Sequence, residues 1–387
     1  MTDIQGTVNE GYGAVADAFA QNFEDANELG AGFCLHVNGE NVVDIWAGVA
    51  DKASGRAWDD ETLQLVFSTT KGAAAICIAR LVQDGKLGYD DKVADHWPEF
   101  AQNGKGDITV SQVMSHQAGI PAVDAQLTFD DLMAVGPVVE ALAAQAPMWE
   151  PGAGHGYHAV TYGWLAGELL RRIDGRTMGT YFDEEIAGPL GLDFWIGLPE
   201  EHEHRVSTLA PSPPPSDPET LQLMLKVAGP GTLGFRALFM DGLLMALDPA
   251  QNPFNTRAVH ATEMPAANGI TNARSLSRMY AATIGEVDGV RILQPDTVDA
   301  MRAEQVLAPD KSLVVETRFG HGMMLHHELS EMIADGAYGH AGAGGSLGYA
   351  HPESGVAYGY VMNQMGGDIA GDPRTRRLNA AIRSCLS

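Results

Sequence analysis

The sequence predicts an α+β protein in which the two ends of the chain build one sheet and a helical region is inserted between them. Three observations carry this. Residues 32–50 read as two strands around Asn38-Gly39, the dipeptide favoured in two-residue hairpins because both central positions need positive φ. Residues 344–350 and 355–363 alternate small and apolar residues and read as a second strand pair, joined by Pro352-Glu353-Ser354-Gly355. The long stretch between these pairs is dominated by helical apolar spacing. Strands near both termini with helices between them predict a discontinuous sheet domain, 1–70 with 335–387. A mostly helical domain is expected over 71–334, with a lid or pocket wall at 206–260 and the active site between the two domains.

The elements follow in chain order. Residues 8–24 have helical spacing. Residues 69–84, TTKGAAAICIARLVQD, are apolar on nearly every face, which predicts a helix buried all round, stopped by Gly85. A short helix opened by Thr109 is expected over 107–116, and another over 160–174 after the Pro151-Gly152 turn. Residues 206–218 are rich in Pro and Ser and read as a surface crossing. Residues 219–247 carry many Leu, Met and Phe with few charges, as either core helices or an apolar lid, with core the stronger reading. A last helix is expected over 373–385. No internal repeat is visible.

Composition narrows the function. Of 387 residues, 45% are hydrophobic and 19% charged, as in a globular protein with a developed core. The formal net charge is −26, spread along the chain rather than gathered in a tail. Such a surface repels phosphate backbones and anionic lipid, so neither nucleic acid nor membrane is an expected partner. No stretch approaches the roughly 20 apolar residues of a membrane span. The start, Met1-Thr2-Asp3-Ile4-Gln5, lacks the basic and apolar regions of a secretory signal, so a cytoplasmic location is expected. Cys34, Cys77 and Cys385 form neither a disulfide framework nor a metal-like spacing; Cys77 reads as a small core residue.

The chemistry centres on Ser68-Thr69-Thr70-Lys71. A spacing of three on a helix puts both side chains on one face, about 5–6 Å apart at Cβ. Lys71 enters a strongly apolar run, and a desolvated lysine has a lowered pKa and can act as a neutral base. A serine hydroxyl needs such a base to attack a carbonyl at neutral pH. The competing interpretation is an N-cap serine beside a snorkelling lysine, and Ser-x-x-Lys alone is a weak signal. Further along, Tyr157 precedes a helix, and His340-Ala341-Gly342 opens the run Gly342-Ala343-Gly344-Gly345-Ser346 ahead of a strand.

In that order these segments are similar to a known family. VFSTTKG, ITVSQVMSHQAGIP, GYHAVTYGWLAGELL, ANGITNARSLSRMYAAT and GHAGAGGSLGYAHPESGVAYGYVMN resemble the motifs of AmpC-type serine β-lactamases, penicillin-binding proteins and their relatives, the family VIII carboxylesterases. The resemblance covers nearly the whole chain. It implies a β-lactamase/DD-peptidase-like fold. It also implies acylation of Ser68, proton transfer to Lys71, and proton shuttling by Tyr157. The backbone N–H groups of Ser68 and Ala343 would form the oxyanion hole. His340 would stand where the family has its third-motif lysine, so that His340, Gly342 and Ala159 line the substrate pocket.

Two departures shift the expected substrate. The lactam-cleaving members carry Lys-Thr-Gly where this chain has His340-Ala341-Gly342, which removes a permanent cation, since His is mostly neutral at pH 7. They also carry Tyr-x-Asn, whereas Ala159 stands at that third position and cannot hydrogen-bond a substrate amide. Both point from penicillin-like acids towards neutral esters. A third departure, His351 ahead of Pro352, is assigned no role.

Other candidates read as structural. Gly344-Gly345-Ser346-Leu347-Gly348 fits the Gly-x-Ser-x-Gly elbow, but a strand follows it instead of a helix. His202-Glu203-His204 and His326-His327 lie in solvated stretches without a third metal ligand. His116 reads as a hydrogen-bonded structural histidine. Tyr162, a turn past Tyr157, reads as core and as the alternative phenol. The glycines at 342–345 precede no helix, so they are not expected to cradle phosphate.

The expected function is therefore a cofactor-free, metal-free serine carboxylesterase acting on small hydrophobic esters or lactones. The alternatives are an acyltransferase or an amide or β-lactam hydrolase using the same Ser68-Lys71-Tyr157 site, and a catalytically inactive binding module. Self-association as a homo-oligomer is left open.

Overall fold

In the computed structural model, which describes residues 2–213, 217–245, 251–366 and 371–386, Asn38 and Gly39 take φ of 52° and 84°. Positive φ at both positions makes the mirror-image turn that suits hairpin twist. The turn joins the two strands expected over 32–50. Among the described residues the strands are, in chain order, β1 (Gln5–Val8), β2 (Gly30–Val37), β3 (Glu40–Asp51), β4 (Arg56–Ala57), β5 (Gln64–Leu65), β6 (Phe194–Trp195), β7 (Ile270–Thr271), β8 (Val306–Pro309), β9 (Glu316–Phe319), β10 (Met324–Leu325), β11 (Tyr338–Ala341), β12 (Leu347–His351) and β13 (Val356–Met362).

Ten of these form one antiparallel sheet in the order β1-β3-β2-β13-β12-β11-β10-β9-β8, with β4 paired to β3. The chain ends meet where β2 pairs β13, in register from Val37 opposite Val356 to Ala31 opposite Met362. A second sheet, β5-β7-β6, lies apart. The large sheet also takes in β8–β10, upstream of the expected boundary at 335. Those strands are only two to four residues long, and only their pairing reveals them. β1 is likewise absent from the sequence reading, because its four residues are all exposed and show no alternation.

The sheet is buried on both faces, and the two faces carry different sizes of residue. Phe33, Leu35, Tyr349, Tyr358 and Tyr360 point to one face, where Val15, Phe19, Leu378 and Ile382 of the terminal helices Gly13–Asp25 and Pro373–Leu386 cover them. The opposite face presents Gly32, Cys34, Gly348, Ala350, Ala357 and Gly359, and helix Ala273–Ile284 lies close against it. A Cβ on Gly359 would stand 2.3 Å from the Ala273 carbonyl oxygen. Small residues on this face therefore set the close helix-to-sheet approach.

Helix Thr70–Gln83 is buried over Thr70–Ala79, as its all-round apolar composition predicts. Val110–Met114 is opened by Thr109 in a reciprocal cap with Gln112, and Thr161–Asp174 ends on Gly175 in the left-handed conformation. The 219–247 segment is only half core. Its helices Pro218–Ala228 and Leu233–Phe239 pack together, with Leu238 and Leu243 against the core, while Leu221 and Leu225 stay exposed. Residues 214–216 and 246–250, parts of the expected crossing and pocket wall, lie outside the described residues. Among the described residues no helix is long and apolar enough to cross a membrane.

Gly72, next to Lys71, faces the buried Tyr280, and a Cβ there would lie 2.0 Å from the Tyr280 hydroxyl oxygen. Gly72→Ala is expected to lower stability by about 1–3 kcal/mol through overpacking. Thermal unfolding of Gly72→Ala and of Gly72→Ala with Tyr280→Phe checks this. The double variant should recover part of the loss, because the phenylalanine lacks the clashing oxygen.

Candidate active site

Ser68 lies in the turn that leads into helix Thr70–Gln83 and is half-buried, whereas Lys71 in the first turn is fully buried. The Thr70 N–H donates to the Phe67 carbonyl (3.0 Å) and the Lys71 N–H to the Ser68 carbonyl (2.9 Å). Phe67 takes φ of 45°, a left-handed conformation that costs a bulky residue on the order of 1–3 kcal/mol. Its neighbours hold it there. The Val66 N–H donates to the Gly269 carbonyl at 2.9 Å, and the Gly269 N–H donates to Thr70 Oγ1 at 2.8 Å. Ser68 is thus presented on a braced corner.

Three oxygen atoms surround the Lys71 amine. The Ala159 carbonyl lies at 2.6 Å, the Ala266 carbonyl at 2.9 Å and Ser68 Oγ at 3.1 Å. A neutral amine has two N–H donors and one lone pair. The two carbonyls can only accept, so they take both donors, and the lone pair is left for the Ser68 hydroxyl. Desolvation holds Lys71 well below its ordinary range, and it is the sole cause of that shift. Among the described residues no carboxylate pairs with the amine.

Tyr157 completes the cluster. The Lys71 amine sits 4.8 Å from its ring centre. Burial above all pushes the phenol above its usual range, the neighbouring Ser68 side chain opposes this, and the Asp310 charge adds to the rise, so the phenol keeps its proton. The Tyr157 N–H donates to both carboxylate oxygens of buried Asp310 at 3.0 Å. Asp310 also accepts from the Ser312 N–H (2.7 Å) and the Leu313 N–H (2.9 Å). One carboxylate therefore ties the Tyr157 backbone to the 310–313 turn. Tyr162 is fully buried, and its ring lies 5.8 Å from the amine.

The glycine-rich run approaches Ser68 from the other side. A Cβ on Gly342 would lie 2.2 Å from the Val66 carbonyl oxygen, so only glycine lets the run abut the Ser68 corner. Ser346 Oγ donates to that same carbonyl at 2.9 Å and lies 3.0 Å from Thr69 Oγ1. This buried serine is a tie between two segments rather than an elbow nucleophile. Ala343 is exposed at the corner. Among the described residues, neither its N–H nor that of Ser68 donates to another protein group.

Two expected pocket residues are placed differently. His340 is fully buried, and its Nδ1 donates to the Ala341 carbonyl at 2.7 Å. Burial, then the nearby Lys71, push its pKa down to about 3, so it is a neutral group packed beneath the site instead of an open pocket wall. The strand direction of β11 turns its ring inwards, towards Tyr157, with centroids 6.1 Å apart. Ala159 is buried, and its carbonyl accepts from the Lys71 amine.

The remaining histidines are structural. His158 Nε2 accepts from the Ile120 N–H (3.1 Å), so Nδ1 carries the proton to the Gly156 carbonyl (2.7 Å). His116 Nδ1 accepts from the His158 N–H (3.2 Å). Burial pushes both pKa values down, that of His158 to about 3. His202 stacks on Trp195, and His326 Nδ1 accepts from the Met332 N–H. Among the described residues no group of His, Cys, Asp or Glu is arranged to hold a metal.

Sequence reasoning missed Ala266 and Asp310. Ala266 acts through a carbonyl, which every residue has. Asp310-x-Ser312 is a turn signal, but nothing local to it points at Tyr157.

The Beta-lactamase family model matches residues 15–382. Esterase/beta-lactamase LipL of Mycobacterium tuberculosis is 34% identical over 371 residues, covering 94% of this chain and 83% of that protein. Among solved structures, a family VIII carboxylesterase superposes with a TM-score of 0.88 at 38% identity, covering 99% of this chain and 100% of the other. A penicillin-binding protein homologue from Caulobacter crescentus gives 0.86 at 38% identity, with the same coverage.

The Lys71 environment has a measurable consequence. Its pKa is lowered on folding, so the unfolded chain binds the extra proton and stability rises with pH between the folded pKa and the ordinary lysine value of 10.5. The slope of that contribution is up to about 1.4 kcal/mol per pH unit. Lys71→Met removes it. Denaturant unfolding at pH 7 and pH 9 should show the wild type gaining stability relative to Lys71→Met; parallel pH dependence in the two proteins would refute a depressed amine.

Proposed function

The chain belongs to the Beta-lactamase family, and from that premise we propose that it is a serine carboxylesterase cleaving small hydrophobic esters, and small lactones, through an acyl-enzyme on Ser68. It is a serine hydrolase. The observation that carries the proposal is the desolvated Lys71 amine, with both N–H donors on carbonyls and Ser68 Oγ 3.1 Å away.

The steps follow from that geometry. The Lys71 lone pair takes the hydroxyl proton as Ser68 Oγ bonds to the ester carbonyl carbon. The carbonyl oxygen becomes an oxyanion facing the N–H groups of Ser68 and Ala343. The C–O bond to the alcohol then breaks. The leaving oxygen takes a proton from the Tyr157 hydroxyl, which is replenished from the Lys71 ammonium. Water attacks the acyl-enzyme, its proton returning through the same pair, and the acid leaves as Ser68 regains its hydroxyl proton.

Two features support neutral acyl substrates. His340 is neutral throughout the physiological range, so the third motif offers no cation for a substrate carboxylate. The net charge of −26 also disfavours anions near the surface.

Ser68→Ala is expected to lose p-nitrophenyl butyrate turnover by at least about a thousandfold, and a fluorophosphonate should label Ser68 in the wild type, read by peptide mass spectrometry. Full activity in Ser68→Ala would end the proposal. Tyr157→Phe should lower kcat by about 10²–10⁴. With Lys71 as the base, kcat/KM should rise with pH through its lowered pKa and then level off.

A further inference from the structure

The glycine-rich run is held from behind by a buried arginine. Arg374, in the first turn of helix Pro373–Leu386, is 2% exposed. Its Nη2 donates to the Gly344 carbonyl at 2.5 Å and to Asp372 at 2.6 Å. Nη1 donates to the Gln364 carbonyl at 2.9 Å and to buried Glu28 at 3.0 Å, and Nε to Asp372 at 2.9 Å. A Cβ on Gly345 would lie 2.6 Å from Arg374 Nη2 and 2.3 Å from an Asp372 oxygen. The guanidinium therefore explains the glycine at 345 as well as the position of the loop.

The hydrogen bonds form a directed chain. The Gly344 carbonyl accepting from Arg374 belongs to the peptide unit whose N–H is that of Gly345. That N–H donates to the Gly342 carbonyl at 3.1 Å. The Gly342 carbonyl in turn belongs to the peptide unit whose N–H is that of Ala343. We propose that Arg374 is a positioning residue for ester hydrolysis, which fixes the loop and polarises the Ala343 N–H through these two peptide groups. Each link strengthens the next by about 10–30%, and the polarity is right: a cation at the carbonyl end makes the far N–H a stronger donor to an oxyanion. The inference rests on the proposed role of Ser68 and Ala343 as oxyanion donors.

The test compares Arg374→Lys with the wild type on a p-nitrophenyl ester and on the matching thionoester, whose sulfur is a poor oxyanion-hole acceptor. Should the buried lysine prevent folding, Glu28→Gln with Arg374→Gln removes the cation together with one of its two carboxylate partners, Asp372 remaining. The expected result is a fall in kcat of about tenfold on the ester with little change in KM, and a clearly smaller fall on the thionoester. Where both fold, the doubly substituted protein should lose more than Arg374→Lys. Melting temperatures and far-UV circular dichroism confirm the fold of each variant. An unchanged ester kcat in a folded variant, or equal losses on ester and thionoester, would overturn the inference. Ser68→Ala run alongside separates the two levels. If it is inactive while Arg374 variants behave as wild type, only the relay falls; if it is active, the underlying mechanism falls.

Discussion

A lysine amine held away from water without a counter-ion is the constraint on which the rest of the site depends. Burial of an unpaired cation is strongly unfavourable, and the group responds by giving up its proton. What keeps the neutral amine in place is a pair of backbone carbonyls, at Ala159 and Ala266. They come from two segments far apart in the sequence, so the packing of the helical region sets the chemistry. Gly163 shows how tight the arrangement is: a Cβ there would stand 2.5 Å from the Ala266 nitrogen. Helix Thr161–Asp174 has to run against the 265–266 backbone for the Ala266 carbonyl to reach the amine.

The same economy of side chains appears around Ser68. Ordinary backbone groups do most of the positioning, and glycines stand where a methyl group would separate two backbones. Gly342 meets the Val66 carbonyl, and Gly345 meets Arg374 and Asp372. Among the described residues, two buried carboxylate-centred clusters support the site from behind. Asp310 holds Tyr157, and Glu28 with Asp372 holds Arg374. Beside Lys71 and Tyr157 stand His340, His116 and His158, all driven to low pKa by burial. Neutral neighbours of this kind would suit the transient charges of the proposed acyl transfer.

Much of the architecture is legible from local pattern. The Asn38-Gly39 hairpin, the buried helix at Thr70–Gln83, the Thr109 cap and the terminal helix all follow from turn chemistry or periodicity. β1 and β8–β10 do not, since short exposed strands carry little alternation and exist through their partners. The 219–247 segment misleads for a related reason. Leu221 and Leu225 are apolar yet exposed, and composition cannot say which face of a helix is covered.

The sequence by itself determined that a serine and a lysine lie one helical turn apart in an apolar run, because covalent geometry sets that spacing whatever surrounds it. It also determined the order of the motifs, the acidity of the surface and the loss of a cation at position 340. Only the tertiary structure decided that the lysine is gripped by carbonyls 88 and 195 residues away, that His340 turns inwards, and that Arg374 braces the glycine run. Those outcomes depend on where backbone atoms of distant segments come to rest. A carbonyl has no residue identity to read, and its place is set by packing alone.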